Sequence, residues 1–162
     1  METNTFIINE GNLSVTINRT FKAPLEKVWD AFTNHETLDK WWAPKPWKCR
    51  TKRQDFTNCG EWLYAMVGPE NEEHWAITTY KNISENNSFG LTDAFCDENG
   101  VINSDLPTSE WKLDFTEHDN STQLKIVVKQ ISLEDLQTLI KMGFQEGFEA
   151  TLESLRVLLE EK

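Results

Sequence analysis

Few residues in this chain combine the type and the spacing that catalysis requires. His35, His74 and His118 lie far apart, and no His-x-x-x-His or Cys-x-x-Cys spacing offers a metal its ligands. Solvated or core histidines are expected, with no metal and no cofactor. A Gly-rich phosphate loop, a Gly-x-Ser-x-Gly elbow and a Cys-His signature are all missing. Glu61, Glu72 and Glu73 fall near the rim of any pocket, but an acid–base pair needs shifted pKa values. They read as solvated strand ends, so no catalytic residue is assigned.

Aromatic surface is what the chain has in quantity: seven Trp, nine Phe and two Tyr in 162 residues. Spacing of two places Trp62, Tyr64 and Met66 on one strand face, Trp75 and Ile77 on the next, and Trp111, Leu113 and Phe115 on a later one. Together with Leu124 and Ile126 these are expected to face a C-terminal helix, with Phe144 and Phe148 pointing back. Of Trp41 and Trp42, one is expected to lock a short helix to the sheet. The other, taken as Trp42, guards the mouth of the space. An apolar pocket with a few polar groups, such as Tyr64 or Thr79, is how small-molecule sites are built. The alternative is a solid core, since large side chains can fill such a space themselves.

Lys45, Lys48, Arg50, Lys52 and Arg53 concentrate positive charge in one stretch. This is read as a solvated strand face pairing with Glu residues on neighbouring strands. A docking patch for an acidic partner, a chaperone included, is the competing account.

The elements that position these residues follow from periodicity. Ser132 to Lys162 reads as one long amphipathic helix, with Leu133, Leu136, Ile140, Phe144, Phe148, Leu152, Leu155 and Leu159 in an apolar band. Ser132 is its expected N-cap, with Ile131 stapling against Leu136. Gly143 and Gly147 each cost about 1 kcal/mol relative to alanine in a helix, which predicts close packing or a space beneath the helix. A break into a short and a long helix near Met142 is the other account. Earlier, Leu13, Val15 and Ile17 alternate into a first strand. Pro24 opens a short helix with Val28, Trp29 and Phe32 on its face, and Asn34 caps a second that Pro44 stops.

Strands are then predicted over 47–55, with Trp47, Cys49, Thr51 and Arg53 on one face, and around Trp62, over 75–83, over 89–95, around Trp111 and around Leu124. Residues 97–108 exceed usual loop length. Helices do not alternate with strands, which gives α+β with one curved antiparallel sheet over residues 1–162 as one domain.

The formal charge of −11 argues against nucleic acid. No apolar run approaches the roughly 20 residues of a membrane span, and no signal peptide is read at the N-terminus. Three unpatterned cysteines suit a reducing compartment, so a soluble cytoplasmic protein without membrane insertion is expected.

Residues 21–32 (FKAPLEKVWDAF), 41–44 (WWAP), 60–66 (GEWLYAM) and Gly68-Pro69 resemble the family of homologues of the ATPase activator of the ninety-kilodalton heat-shock chaperone. The hairpin through Phe115 and Leu124 and the Gly-Phe pairs at Gly143 and Gly147 match it as well. Where paired glycines are common this chain has Cys59-Gly60, and His35 replaces a common proline. The resemblance implies the helix-grip fold shared with START lipid-transfer domains, the birch-pollen-allergen group and polyketide cyclases. That fold is a curved antiparallel sheet of about seven strands around a long C-terminal helix, with two short helices after the first strand. In the superfamily the cavity between sheet and helix holds hydrophobic ligands.

Three readings follow. The first is binding of a small apolar or aromatic molecule by Trp42, Trp62, Tyr64, Met66, Trp75, Ile77, Trp111, Leu113, Phe115, Phe144 and Phe148. The second is a co-chaperone-like protein of the stress response, with a chaperone or a homodimer partner. The eukaryotic activators carry an additional N-terminal domain, for which 162 residues leave no room, and this weighs against it. The third is a cyclase- or hydrolase-like enzyme, which would be marked by a polar cluster deep in the pocket, such as Tyr64 with a buried carboxylate or histidine.

Overall fold

The computed structural model describes residues 4–160. Eight strands form one antiparallel sheet: β1 (Thr5–Asn9), β2 (Ser14–Phe21), β3 (Lys48–Gln54), β4 (Glu61–Val67), β5 (Glu73–Ser84), β6 (Ser88–Cys96), β7 (Ser109–His118) and β8 (Ser121–Lys129). Their order is β1-β2-β8-β7-β6-β5-β4-β3, so β1 and β3 are the two edges. Helices α1 (Leu25–Thr33) and α2 (His35–Trp41) follow β2, and α3 (Leu133–Lys141) and α4 (Phe144–Glu160) close the chain. This is the α+β helix-grip architecture, with eight strands rather than about seven. The extra strand is β1, whose Ile7 and Ile8 are exposed. Edge position, without burial on both faces, is why it carries no clear alternation.

The C-terminal segment is two helices, not one. Gly143 has φ +85°, a conformation that a side chain would strain, and its N–H donates to the Ile140 carbonyl at the end of α3. Gly147 is different: a Cβ there would meet nothing within 4 Å. One glycine breaks the helix and the other leaves room beneath it. Ser132 caps α3 by accepting from the Asp135 N–H. Ile131 is 78% exposed, so the expected staple to Leu136 does not form.

The inner face of the sheet carries the core. Val15, Ile17, Phe21, Phe89, Leu113, Phe115, Leu124, Ile126 and Val128 are buried beneath α1 and α4. From α1, Trp29 meets Phe115 at 5.1 Å and Phe89 at 5.5 Å, mostly edge to face, the geometry aromatic rings prefer. Trp41 is buried, and its indole N–H donates to the Ala31 carbonyl at 2.8 Å, which joins α2 to α1.

Two face assignments change. In β5, Tyr64 pairs with Ala76 and Trp62 with Thr78, so Ala76, Thr78 and Tyr80 face inward. Trp75 and Ile77 lie on the outer face, and Thr78, not Thr79, is the inner threonine. Ile77 instead packs with Leu63 and Ala94 in a separate small core, and Gly100 of the 97–108 segment lies against it. An outer face covered in this way selects apolar residues as strongly as an inner one. In β3 the register shifts between Thr51 and Arg53. The bulge turns Gln54 inward opposite Trp62 and leaves Arg53 outward, unlike Cys49 and Thr51.

Candidate functional site

The first half of α4 crosses the sheet with Phe144, Gly147, Phe148 and Thr151 facing it, and here the core opens. A pocket of about 250 Å³ lies between α4 and strands β4 to β7. Its walls are Trp42 from the end of α2, Tyr64 and Met66 from β4, Ala76 from β5, Asp93 and Phe95 from β6, and Ser109 and Trp111 from β7. Leu139 and Met142 of α3 close one end, while Pro44, His74, Trp75 and Pro107 complete the lining. The missing side chain at Gly147 is part of the cause, since open space begins where its Cβ would be.

Aromatic packing fixes the wall. Phe144 and Phe148 stack with centroids 5.4 Å apart and planes at 9°. Trp111 meets Phe148 edge-on at 5.4 Å. Trp42 bridges sheet and helix, 6.0 Å from Trp111 and 5.9 Å from Phe148. Of the expected ligand residues, Trp42, Tyr64, Met66, Trp111, Phe144 and Phe148 come together around this space, whereas Trp75 only borders it from β5, its ring on the outer face against Arg50 and Lys52. Trp62 lies behind the wall, stacked 4.0 Å from Tyr64, with its indole N–H donating to Thr51 Oγ1 at 3.0 Å. Leu113 and Phe115 are packed in the core beyond the pocket. Ile77 is on the opposite face.

The floor is polar. Asp93 pairs with Thr78 on β5 and Ser109 on β7, which puts its carboxyl on the inner face. Thr78 Oγ1 donates to Asp93 Oδ1 at 3.0 Å. Burial pushes the Asp93 carboxyl up to about 7, and the hydroxyls of Thr78 and Tyr64 offset that only partly. The Tyr64 phenol is held well above its ordinary value, first by burial and then by the charge of Asp93. Ser109 accepts a hydrogen bond from the Gln130 amide. The sequence signal for Asp93 is its position: it alternates with Leu91 and Phe95, so a carboxylate shares a strand face with apolar residues.

Elsewhere the site is chemically quiet. Among the described residues no group of three His, Cys, Asp or Glu side chains could hold a metal ion. The cysteines form no disulfide: Cys49 is buried, Cys59 exposed and Cys96 in between. Burial, with Asp39 nearby, raises the Cys49 thiol far from thiolate chemistry. The basic stretch on β3 is largely engaged at the surface. Arg53 pairs with Glu61 at 2.9 Å, Arg50 pairs with Glu73, and Lys52 donates to the Glu98 carbonyl at 2.7 Å.

A bent antiparallel sheet holding a C-terminal helix over an aromatic pocket defines a helix-grip protein. The sequence model of the family described as Activator of Hsp90 ATPase homolog 1-like protein matches residues 22–160. The chain belongs to that family. A crystal structure of protein Ms6760 from Mycobacterium smegmatis is similar at 30% identity and a TM-score of 0.89, over 98% of this chain and 97% of that one. A solution structure of a protein from Arthrobacter aurescens is similar at 25% identity and a TM-score of 0.92, over 98% and 92%. The AHSA1 protein of Silicibacter pomeroyi, at 17% identity and a TM-score of 0.71 over 90% and 96%, shares the fold. No match was found among curated proteins. Among the described residues no helix is long and apolar enough to cross a membrane.

Proposed function

We propose that this protein binds a small apolar or aromatic molecule between its sheet and α4. The observation that carries the reading is the space under Gly147, walled by Trp42, Trp111, Phe144 and Phe148. At about 250 Å³ it sits just below the roughly 300 Å³ at which small-molecule pockets begin. A guest of one or two rings suits it better than a lipid. Apolar lining supplies the affinity, and Tyr64 and Asp93 give the guest an orientation. The three reduced cysteines accord with a cytoplasmic setting.

Gly147→Leu tests this directly, because a side chain added there starts in the open space, where a Cβ meets nothing within 4 Å. Wild-type protein should take up naphthalene with quenching of its tryptophan fluorescence, and the variant should not. Equal uptake by both proteins, or none by the wild type, would remove the pocket from the account.

One observation favours a second reading. Tyr64 beside the Asp93 carboxyl is the deep polar cluster that an acid–base enzyme on this fold would need. Turnover lost in both Tyr64→Phe and Asp93→Asn would establish it; retention in either would exclude the pair. For a co-chaperone role the surface offers less, since Arg50, Lys52 and Arg53 are spent on local partners. A pull-down through the β3 face would be the supporting result.

A further inference from the structure

Pocket charge narrows the guest to one chemical class. No lysine or arginine contributes to the lining; its ionisable side chains are Asp93 at the floor, the neutral Tyr64 phenol beside it, and the exposed His74 at the rim. A ligand bearing a carboxylate or phosphate would meet no countercharge there and would face a carboxyl group instead. Burying that carboxyl is costly unless something pairs with it. Thr78 and Tyr64 each donate a hydrogen bond to it, but neither brings a countercharge. Around it stand Trp42, Tyr64, Trp111, Phe144 and Phe148, whose ring faces attract positive charge. An aromatic cage above a lone carboxylate is complementary to a small organic cation. The chain's formal charge of −11 adds a field that draws cations towards the protein.

We infer that the guest is an organic ammonium: an apolar or aromatic body bearing a protonated amine, its nitrogen set against Asp93 and its body among the rings. This rests on the pocket reading above and assigns the polar end of the guest. An alkylammonium hydrogen-bonds the carboxylate with charge assistance, the strong form of such a bond. The cation also brings the countercharge that the pocket floor lacks.

Three probes of one shape separate the cases: 2-phenylethylammonium, 2-phenylethanol and n-propylbenzene, titrated calorimetrically about one pH unit above the Asp93 value so that the carboxyl is ionised. The ammonium should bind about tenfold more tightly than n-propylbenzene or more. In Asp93→Asn that ratio should collapse towards one. If n-propylbenzene binds as tightly as the ammonium, the cation assignment is overturned while the pocket reading survives. If the alcohol matches the ammonium, the site selects a neutral donor and the assignment is likewise overturned. If none of the three binds, the pocket reading falls and this inference falls with it.

Discussion

Asp93→Asn should make the protein more stable, and only above a definite pH. An unfolded carboxyl titrates near 3.8, whereas Asp93 in the folded chain holds its proton up to about 7. Below the lower value both states are protonated and burial of the group adds no pH-dependent cost. Between the two, the unfolded chain releases a proton that the folded chain keeps. Wild-type stability therefore falls by about 1.4 kcal/mol per pH unit. Above 7 both states are ionised and the full cost, about 4 kcal/mol, is constant. Asparagine keeps an acceptor for the Thr78 hydroxyl and removes the charge. Urea unfolding across this range should find the variant equal to wild type near pH 4 and more stable by a gap that widens to about 4 kcal/mol by pH 7 to 8. A gap that does not change with pH, or a variant less stable at pH 8, would refute the claim that a desolvated carboxyl forms the pocket floor.

The two glycines should respond with opposite signs. Gly147→Ala adds a methyl group to open space in a helix and should raise stability by about 1 kcal/mol in thermal unfolding. Gly143→Ala forces a side chain into φ +85° and should cost about 1–2 kcal/mol in the same assay. Trp41→Phe leaves the buried Ala31 carbonyl without its donor and should cost about 1–3 kcal/mol by urea midpoint. Ile77→Ala should destabilise by about 2–5 kcal/mol yet leave naphthalene uptake intact, since Ile77 packs in the outer cluster. Lost uptake in that variant would reverse the face assigned to β5.

Much of this architecture is legible in the residues. Alternation at Trp62, Tyr64 and Met66, and at Trp111, Leu113 and Phe115, identifies two strands and their inner faces, because one side of each is apolar. Ser132 and Asn34 mark helix starts through capping chemistry, which is local. β5 was less readable. Trp75 and Ile77 are larger than Ala76 and Thr78, and size suggests that the larger pair points inward. The 97–108 segment covers the outer face there, so both sides of the strand are sheltered and alternation carries no sign. The β3 bulge depends on pairing with β4, which spacing within one strand cannot express. Asp93 is hard to read from the sequence for a different reason. It is a charged residue on a core-facing strand position, the kind of exception that a pattern of apolar residues passes over.

An open sheet ends in two strands that have no neighbouring strand on their outer side, and each such flank invites a foreign strand to add on. In this protein one flank is the five-residue β1. The other is β3, where Lys48, Arg50, Lys52 and Arg53 punctuate a strand already bent by its bulge. Asp39 of α2 already accepts from the Thr51 N–H of β3 at 3.0 Å, which covers part of that border. Bulge, cover and long polar side chains together make that border a poor template for an added strand, keeping chains from zipping together when they are crowded.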